Sequence, residues 1–114
     1  MTVNEKIIQA LKPFNLPVRE KFSDDDKEEY FTFNFTDDRA SEFGDNQPTS
    51  VTVKLQIHYV APIRKNYLEI KKKVRKALFE NGFDYPEVSD ETTPGDTIRH
   101  IVFETAIIDE EELM

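Results

Sequence analysis

Residues 50–59 read Ser-Val-Thr-Val-Lys-Leu-Gln-Ile-His-Tyr, and this stretch decides the fold class. Its apolar side chains alternate with polar ones, at Val51, Val53, Leu55, Ile57 and Tyr59. A period of two is typical of a strand with one face in a core and the other in water. The stretch therefore predicts a half-buried strand of an antiparallel sheet.

Two further segments have strand patterns. Residues 30–35 alternate Phe31, Phe33 and Phe35 with polar or less apolar side chains, which predicts a strand with one aromatic face. Residues 97–108 form the last predicted strand, and both of its faces carry apolar groups. We expect residues 17–22 to be extended, residues 36–49 to be a long loop or hairpin tip, and a short strand to lie near Val88.

Two amphipathic helices flank these strands. The first is predicted over residues 3–12, after a Thr2-x-x-Glu5 capping box and before Pro13. The second is predicted to begin at Asn66 as its N-cap, with Glu69 as its capping-box partner, and to end at Gly82 as its C′ residue. Its predicted core face is narrow, and basic side chains fill most of the remainder.

This order, α-β-β-β-α-β, predicts an α+β fold in which two helices pack on one face of a mainly antiparallel sheet. A chain of 114 residues fits one domain, which we assign to residues 1–108. Residues 109–114 are then an acidic, frayed C-terminal tail.

Composition excludes several function classes. The chain has no cysteine, so disulfides, thiolate metal sites and cysteine catalysis are excluded. Its net charge of -8 disfavours general nucleic-acid binding. Because no apolar run approaches the ~20 residues that span a membrane, and no signal peptide is evident, we expect a soluble protein made in the cytosol.

No segment carries a catalytic or cofactor motif. His58 and His100 are far apart in sequence, without clustered ligands, so we expect ordinary surface or core-edge roles and no metal site. The acidic stretch 24–29 lacks calcium-loop spacing and is expected to be a solvated turn. We therefore predict that the protein is not an enzyme and needs no cofactor.

The most unusual feature is a basic block, because residues 64–76 hold seven of the fifteen basic side chains and one acid, Glu69. It could be a solvated helix face, a phosphate contact or a subunit contact. The second use is disfavoured because no stacking aromatics are interleaved with the lysines.

A helical wheel shows which residues could form the subunit contact. Leu68 and Phe79 fall opposite the core face, with Lys72 and Arg75 between them. Apolar anchors with charged neighbours have the anatomy of an interface. We take Leu68, Lys72, Arg75 and Phe79 as a candidate subunit interface, together with Phe43 from the 36–49 segment. The alternative for Phe79 is that it folds under the loop at Phe83.

The layout of the chain is set by motifs at residues 11–18, 30–34, 58–59, 66–67, 80–83 and 97–103. Together these motifs resemble the small tail-terminator or tail-completion proteins of long-tailed, non-contractile bacteriophages and prophages. They span nearly the whole chain, are patterns of moderate specificity, and include no catalytic signature.

The resemblance implies a structural protein of the virion tail. Such proteins form a ring, usually a hexamer, that caps the head-proximal end of the tail tube and docks the head or neck connector. We expect self-association, contact with the tail-tube protein, and neither specific nucleic-acid binding nor a membrane. Two alternatives stay open: a head-completion or neck protein of the same virion, and a monomeric, non-enzymatic adaptor domain.

Overall fold

A computed structural model describes the backbone of residues 1–44 and 47–109. It describes the side chains of residues 1–38 and 51–109. The chain runs through α1 (Val3–Leu11), a 3-10 turn (Lys12–Phe14), β1 (Val18–Arg19), β2 (Tyr30–Gly44), β3 (Gln47–Pro62), α2 (Leu68–Glu80), β4 (Glu87–Asp90) and β5 (Ile98–Ile108). The predicted α+β class is confirmed. The short strand expected near Val88 is β4.

The strands form one sheet in the order β1-β2-β3-β5-β4. All neighbouring pairs are antiparallel except β1 with β2, which is parallel. The central strand β3 pairs with β2 on one side and with β5 on the other, so it is the spine of the sheet. The segment expected to be extended over 17–22 pairs only at Val18 and Arg19.

Both helices pack on one face of the sheet, called here the helix face. The core contains Ile7 and Leu11 of α1, Val74 and Leu78 of α2, and the inward side chains of the strands. The alternation seen in residues 50–59 holds, because the core includes Val51, Val53, Leu55, Ile57 and Tyr59. The opposite side of the sheet is called the rear face.

The start of α1 is confirmed in detail. Thr2 is the N-cap, its side chain accepts a hydrogen bond from the Glu5 backbone N–H, and the Glu5 carboxylate accepts from the Thr2 backbone N–H. This reciprocal pair satisfies two of the amides that a helix leaves unbonded at its first turn. The helix ends at Leu11, one residue before the predicted end.

The start of α2 differs from the prediction. Tyr67, not Asn66, occupies the N-cap position, and Glu69 forms an ion pair with Lys73 instead of closing a capping box. Asn66 Oδ1 accepts a hydrogen bond from the Leu68 amide, so it closes an Asx turn that leads into the helix. At the other end Gly82 follows the C-cap with a φ of 93°, as the predicted C′ glycine requires.

Of the two alternatives for residues 36–49, the long loop is wrong for most of the range and the hairpin is confirmed. Strand β2 continues to Gly44 and β3 begins at Gln47, so the two strands extend as a long antiparallel hairpin. Register shifts after Phe35 and after Ala40 take up the irregular sequence as bulges. Cross-strand pairing thus overrides the turn propensity of the polar residues.

Of the predicted acidic tail, only Asp109 is described, and its amide donates to the Val51 carbonyl at 2.8 Å. Residues 110–114 lie outside the described part of the chain. Within residues 1–44 and 47–109, neither helix combines the length and the apolar character needed to cross a lipid bilayer.

Candidate interaction surface

Helix α2 leaves two large apolar side chains on the outside of the molecule. Leu68 is 53% exposed and Phe79 is 59% exposed, whereas Val74 and Leu78 of the same helix are fully buried. Lys72 is exposed on the helix between Leu68 and Phe79. We call Leu68, Lys72, Arg75 and Phe79 the α2 stripe.

Arg75 is less available than the wheel suggested, because it is engaged within its own chain. Its Nε donates to the Pro86 carbonyl at 3.1 Å, and its guanidinium carbon lies 5.3 Å from the centroid of the Tyr85 ring. The side chain therefore fastens α2 to the connection that leads into β4. Its charge still contributes to the surface, since guanidinium groups over aromatic faces remain partly solvated.

Tyr85 is the residue of this surface that the wheel could not find. Its ring is 61% exposed and packs edge-on against Phe79, with centroids 5.9 Å apart and an interplanar angle of 72°. It lies beyond the helix, so no helical period includes it. The structure therefore extends the apolar end of the stripe to a pair of aromatic rings.

The alternative that Phe79 folds under the loop at Phe83 is wrong, because Phe83 itself occupies that place in the core. Phe83 is 2% exposed in the core, where the Gly82 turn delivers it. Phe79 stays outside with Tyr85. Phe43, the fifth predicted interface residue, lies among residues 39–50, whose side chains are outside the described set; its backbone belongs to β2 opposite Pro48.

Acids of the same chain pair with several members of the basic block. The lysines at 65, 73 and 76 lie 3.6–3.7 Å from the carboxylates of Glu29, Glu69 and Glu80, respectively. Pairs this exposed contribute about 0–1 kcal/mol each. They soften the positive potential along the flanks of α2, while Lys72 lies in the centre of the stripe.

The rear face holds a polar cluster that the sequence prediction missed. His58 Nδ1 and His100 Nε2 are 2.8 Å apart, although the residues are separated by 42 positions. The β3–β5 register sets His58 opposite Val102 and His100 opposite Val60, so the two histidines are diagonal neighbours. The sequence pattern of each strand places its histidine on the face away from the core. What the sequence could not predict was the register between the two strands, which brings the histidines together.

The hydrogen bonds define the tautomers of the pair. Asn34 Oδ1 lies 2.5 Å from His58 Nε2, and this oxygen can only accept, so His58 Nε2 carries a proton. His58 Nδ1 is then the acceptor, and His100 Nε2 donates to it. Gln56 continues the row, since its Nε2 donates to Glu104 Oε1 at 3.1 Å.

Burial shapes the chemistry of this pair. Burial first, and then the neighbouring His100, lower the pKa of His58 to about 4. Burial also lowers the pKa of His100, against the opposing influence of the Glu91 and Asp90 carboxylates. Both rings are therefore neutral at pH 7, as the hydrogen-bond pattern requires.

Phe22 covers the histidine pair from solvent. Its ring centroid lies 5.2 Å from that of His58 and 5.3 Å from that of His100, both edge-on, while Phe22 itself is 58% exposed. It belongs to the segment between β1 and β2. A single aromatic ring thus joins that segment to the rear face.

Within the described residues, the acidic and histidine side chains nowhere come together in a group of three that could hold a metal ion. The arrangement on α2 fits contact with another macromolecule. A partner that buries the exposed apolar side chains would also place its own acids beside the cations. The histidine cluster fits proton binding. No family model matches this chain, and no curated protein is significantly similar to it in sequence.

Proposed function

We propose that this chain is a non-enzymatic assembly subunit of a phage or prophage tail, the terminator that caps the head-proximal end of the tail tube as a ring. The tail assignment rests on the resemblance of its strand and helix motifs to that family. Support for self-assembly comes from one observation: α2 holds Leu68, Phe79 and the adjoining Tyr85 in solvent, beside Lys72 and Arg75.

That surface has the content of an interface core. Each of the three apolar side chains is more than half exposed, and two are aromatic rings in mutual contact. Aromatic residues and arginine are enriched at protein interfaces, where they supply most of the binding energy. The helix that carries Leu68 and Phe79 is anchored by Val74 and Leu78, so this part of the surface is rigid before it binds.

The opposite side of the molecule offers complementary charge. The rear face and its β4 edge carry exposed carboxylates at Glu87, Glu91 and Glu104, and Phe22 is an exposed apolar group among them. A contact between the helix face of one copy and the rear face of the next is head-to-tail. Such contacts close into a ring when the rotation between copies divides a full turn.

The long β2–β3 hairpin gives the subunit a second means of reaching its neighbours. It continues beyond the end of β5, whose last residue pairs with Thr52. In the proposed ring this arm reaches an adjacent copy or the tube. The acidic charge of the whole chain keeps the lumen from holding DNA, because like charges repel the phosphates.

Assembly is tested by native mass spectrometry and sedimentation at several protein and salt concentrations. We expect the wild type to form a closed oligomer that weakens as salt rises, since exposed charge contacts are screened. The substitutions Leu68→Ser and Lys72→Glu should shift it toward the monomer. Ile8→Ser and Lys12→Glu, which alter exposed residues of α1 and the following turn, are the matched controls.

The tail role has a separate test. A phage tail-tube protein is allowed to polymerise with and without this chain, and the tubes are imaged by electron microscopy. Tubes that are shorter, with a ring on one end, support a terminator. Binding only to a head connector favours the neck alternative. A protein that stays monomeric at all concentrations, and leaves tube lengths unchanged, contradicts the proposal.

A further inference from the structure

The histidine pair lies on the rear face, away from the α2 stripe and beneath Phe22. His58 is 7% exposed, and its two ring nitrogens are both engaged, by Asn34 on one side and His100 on the other. A row of hydrogen bonds with a single consistent set of proton positions is broken by a proton added at one of its acceptor nitrogens. The position of the segment over the pair therefore depends on the protonation state of two neighbouring rings.

We propose that His58 and His100 form a proton-controlled latch that holds residues 20–27 against the rear face through Phe22. At neutral pH both rings are uncharged and Phe22 packs on them. When the pair takes up a second proton, the hydrogen bond between the rings is lost, Phe22 leaves, and the rear face opens. This inference does not depend on the proposed tail function.

The two protons have different consequences. The first can enter at His100 Nδ1, because that nitrogen is not used between the rings and His100 Nε2 continues to donate. The second must enter at His58 Nδ1, the acceptor of that bond. Two N–H groups would then face each other across 2.8 Å, and two cations would be adjacent. The rings must separate, which removes the platform under Phe22.

The surrounding charges favour this order. Glu91 and Asp90, from β4 and the turn after it, stabilise a cation on His100, although Arg99 already pairs with Asp90 at 3.0 Å. A hollow of about 150 Å³ lies beside His100, and both Glu91 and Asp96 line it. On the other side, Glu104 is two hydrogen-bonded residues away from His58, beyond Gln56 and Asn34.

Residues 20–27 carry four carboxylates and two lysines, so their net charge opposes release from a cationic pair. Release therefore follows from separation of the rings under Phe22.

Residues 28 and 29 are anchored independently of Phe22. Glu28 forms an ion pair with Arg19 at 3.4 Å, and the Glu29 carboxylate accepts a hydrogen bond from the Tyr59 hydroxyl and lies 3.7 Å from Lys65. Residues 20–27 are held by the Phe22 packing and by a hydrogen bond from the Ser23 amide to the Tyr30 hydroxyl at 2.8 Å. Segments with so little buried apolar surface open at low free-energy cost. Loss of the Phe22 contact is therefore enough to release residues 20–27 while the helices and the core stay folded.

The latch is tested by NMR on the full chain between pH 7.5 and 3.5. Histidine ring resonances report the tautomers and the two protonation steps, and amide exchange reports opening once corrected for its intrinsic pH dependence. We expect exchange in residues 20–27 to rise at least about tenfold with the His58 step, while amides of α1 and α2 stay protected. An unchanged segment, or opening of the whole domain at once, would overturn the latch.

Two variants separate the latch from ordinary acid unfolding. Phe22→Ala, at an exposed position, should raise the His58 pKa toward 6.5 and speed exchange of the segment about tenfold at pH 7. His58→Gln should keep the fold and abolish the pH response of the segment. If Phe22→Ala leaves both readouts at wild-type values, Phe22 is not the latch contact and the inference fails.

Discussion

The two faces of the sheet are built on different principles. The helix face is covered by α1 and α2 and is almost wholly apolar. Phe31, Tyr59 and Phe103 on this face are fully buried. The rear face has no helix over it among the described residues. Its centre is a row of hydrogen-bonded polar side chains with one aromatic ring as a cover.

The difference separates two kinds of stability. Apolar burial is non-directional and changes little with pH, so the helix face sets the stability of the fold. Hydrogen bonds between titratable rings depend on the position of single protons. The rear face can therefore respond to conditions that leave the helix face intact.

The largest effect should come from removing a ring of the helix face. Phe103→Ala should lower the free energy of unfolding by about 3–5 kcal/mol, because it leaves a cavity at a fully buried position. Val102→Ala, the adjacent residue on the rear face, should cost about 1.5–2 kcal/mol. Urea unfolding followed by circular dichroism measures both. Equal losses would contradict the distinction between the faces.

The next effect is confined to the rear face and depends on pH. The folded pKa of His58, about 4, lies below the unfolded value near 6.5. The unfolded chain therefore binds the proton first as pH falls, and stability present above pH 6.5 is lost toward pH 4. We expect a loss of about 1–2 kcal/mol, allowing for partial solvation of the ring. Denaturant titrations of wild type and His58→Gln at matched pH values check it, and the variant should lack this component.

A smaller effect tests how the helix face is closed. Thr2→Ala removes one half of the α1 capping box and should cost about 1 kcal/mol. Thr2→Ser retains the hydroxyl and should cost much less. The midpoint of thermal unfolding provides the comparison. Identical midpoints for the alanine and serine variants would show that the cap does not secure α1.

The smallest effect is expected at the α2 stripe. Lys72→Glu should change the free energy of unfolding of the monomer by less than about 0.5 kcal/mol, because the side chain is exposed. The same variant is expected to weaken assembly. Stability measured at dilution, beside native mass at high concentration, separates the two. A destabilised monomer would mean that Lys72 supports the fold.

The helix face was predictable because its signals are local. The alternation of residues 50–59, the Thr2–Glu5 box and the Gly82 stop all act within a few residues. They were sufficient for the class, for both helices and for the face that α2 buries. The stripe residues Leu68 and Phe79 also emerged from one helical period, and their exposure is as the wheel requires.

The rear face was not predictable because its geometry is non-local. Whether His58 meets His100 depends on the register of β3 against β5, and a shift of one residue would move either ring to the other face. The same holds for Tyr85, which joins Phe79 only through the turn at Gly82. The sequence left residues 36–49 open between a loop and a hairpin, because the pairing of the two strands is visible only when both are present.

The long central strand has a mechanical consequence. Strand β3 is bonded to β2 along the hairpin and to β5 from Thr52 to Pro62, and antiparallel bonds lie across the strand direction. A pull on the hairpin along its length therefore loads many bonds together in shear rather than one after another. Force applied at the hairpin would pass into β3 and the sheet and would not act directly on either helix. The hairpin can therefore bear tension while the core stays packed.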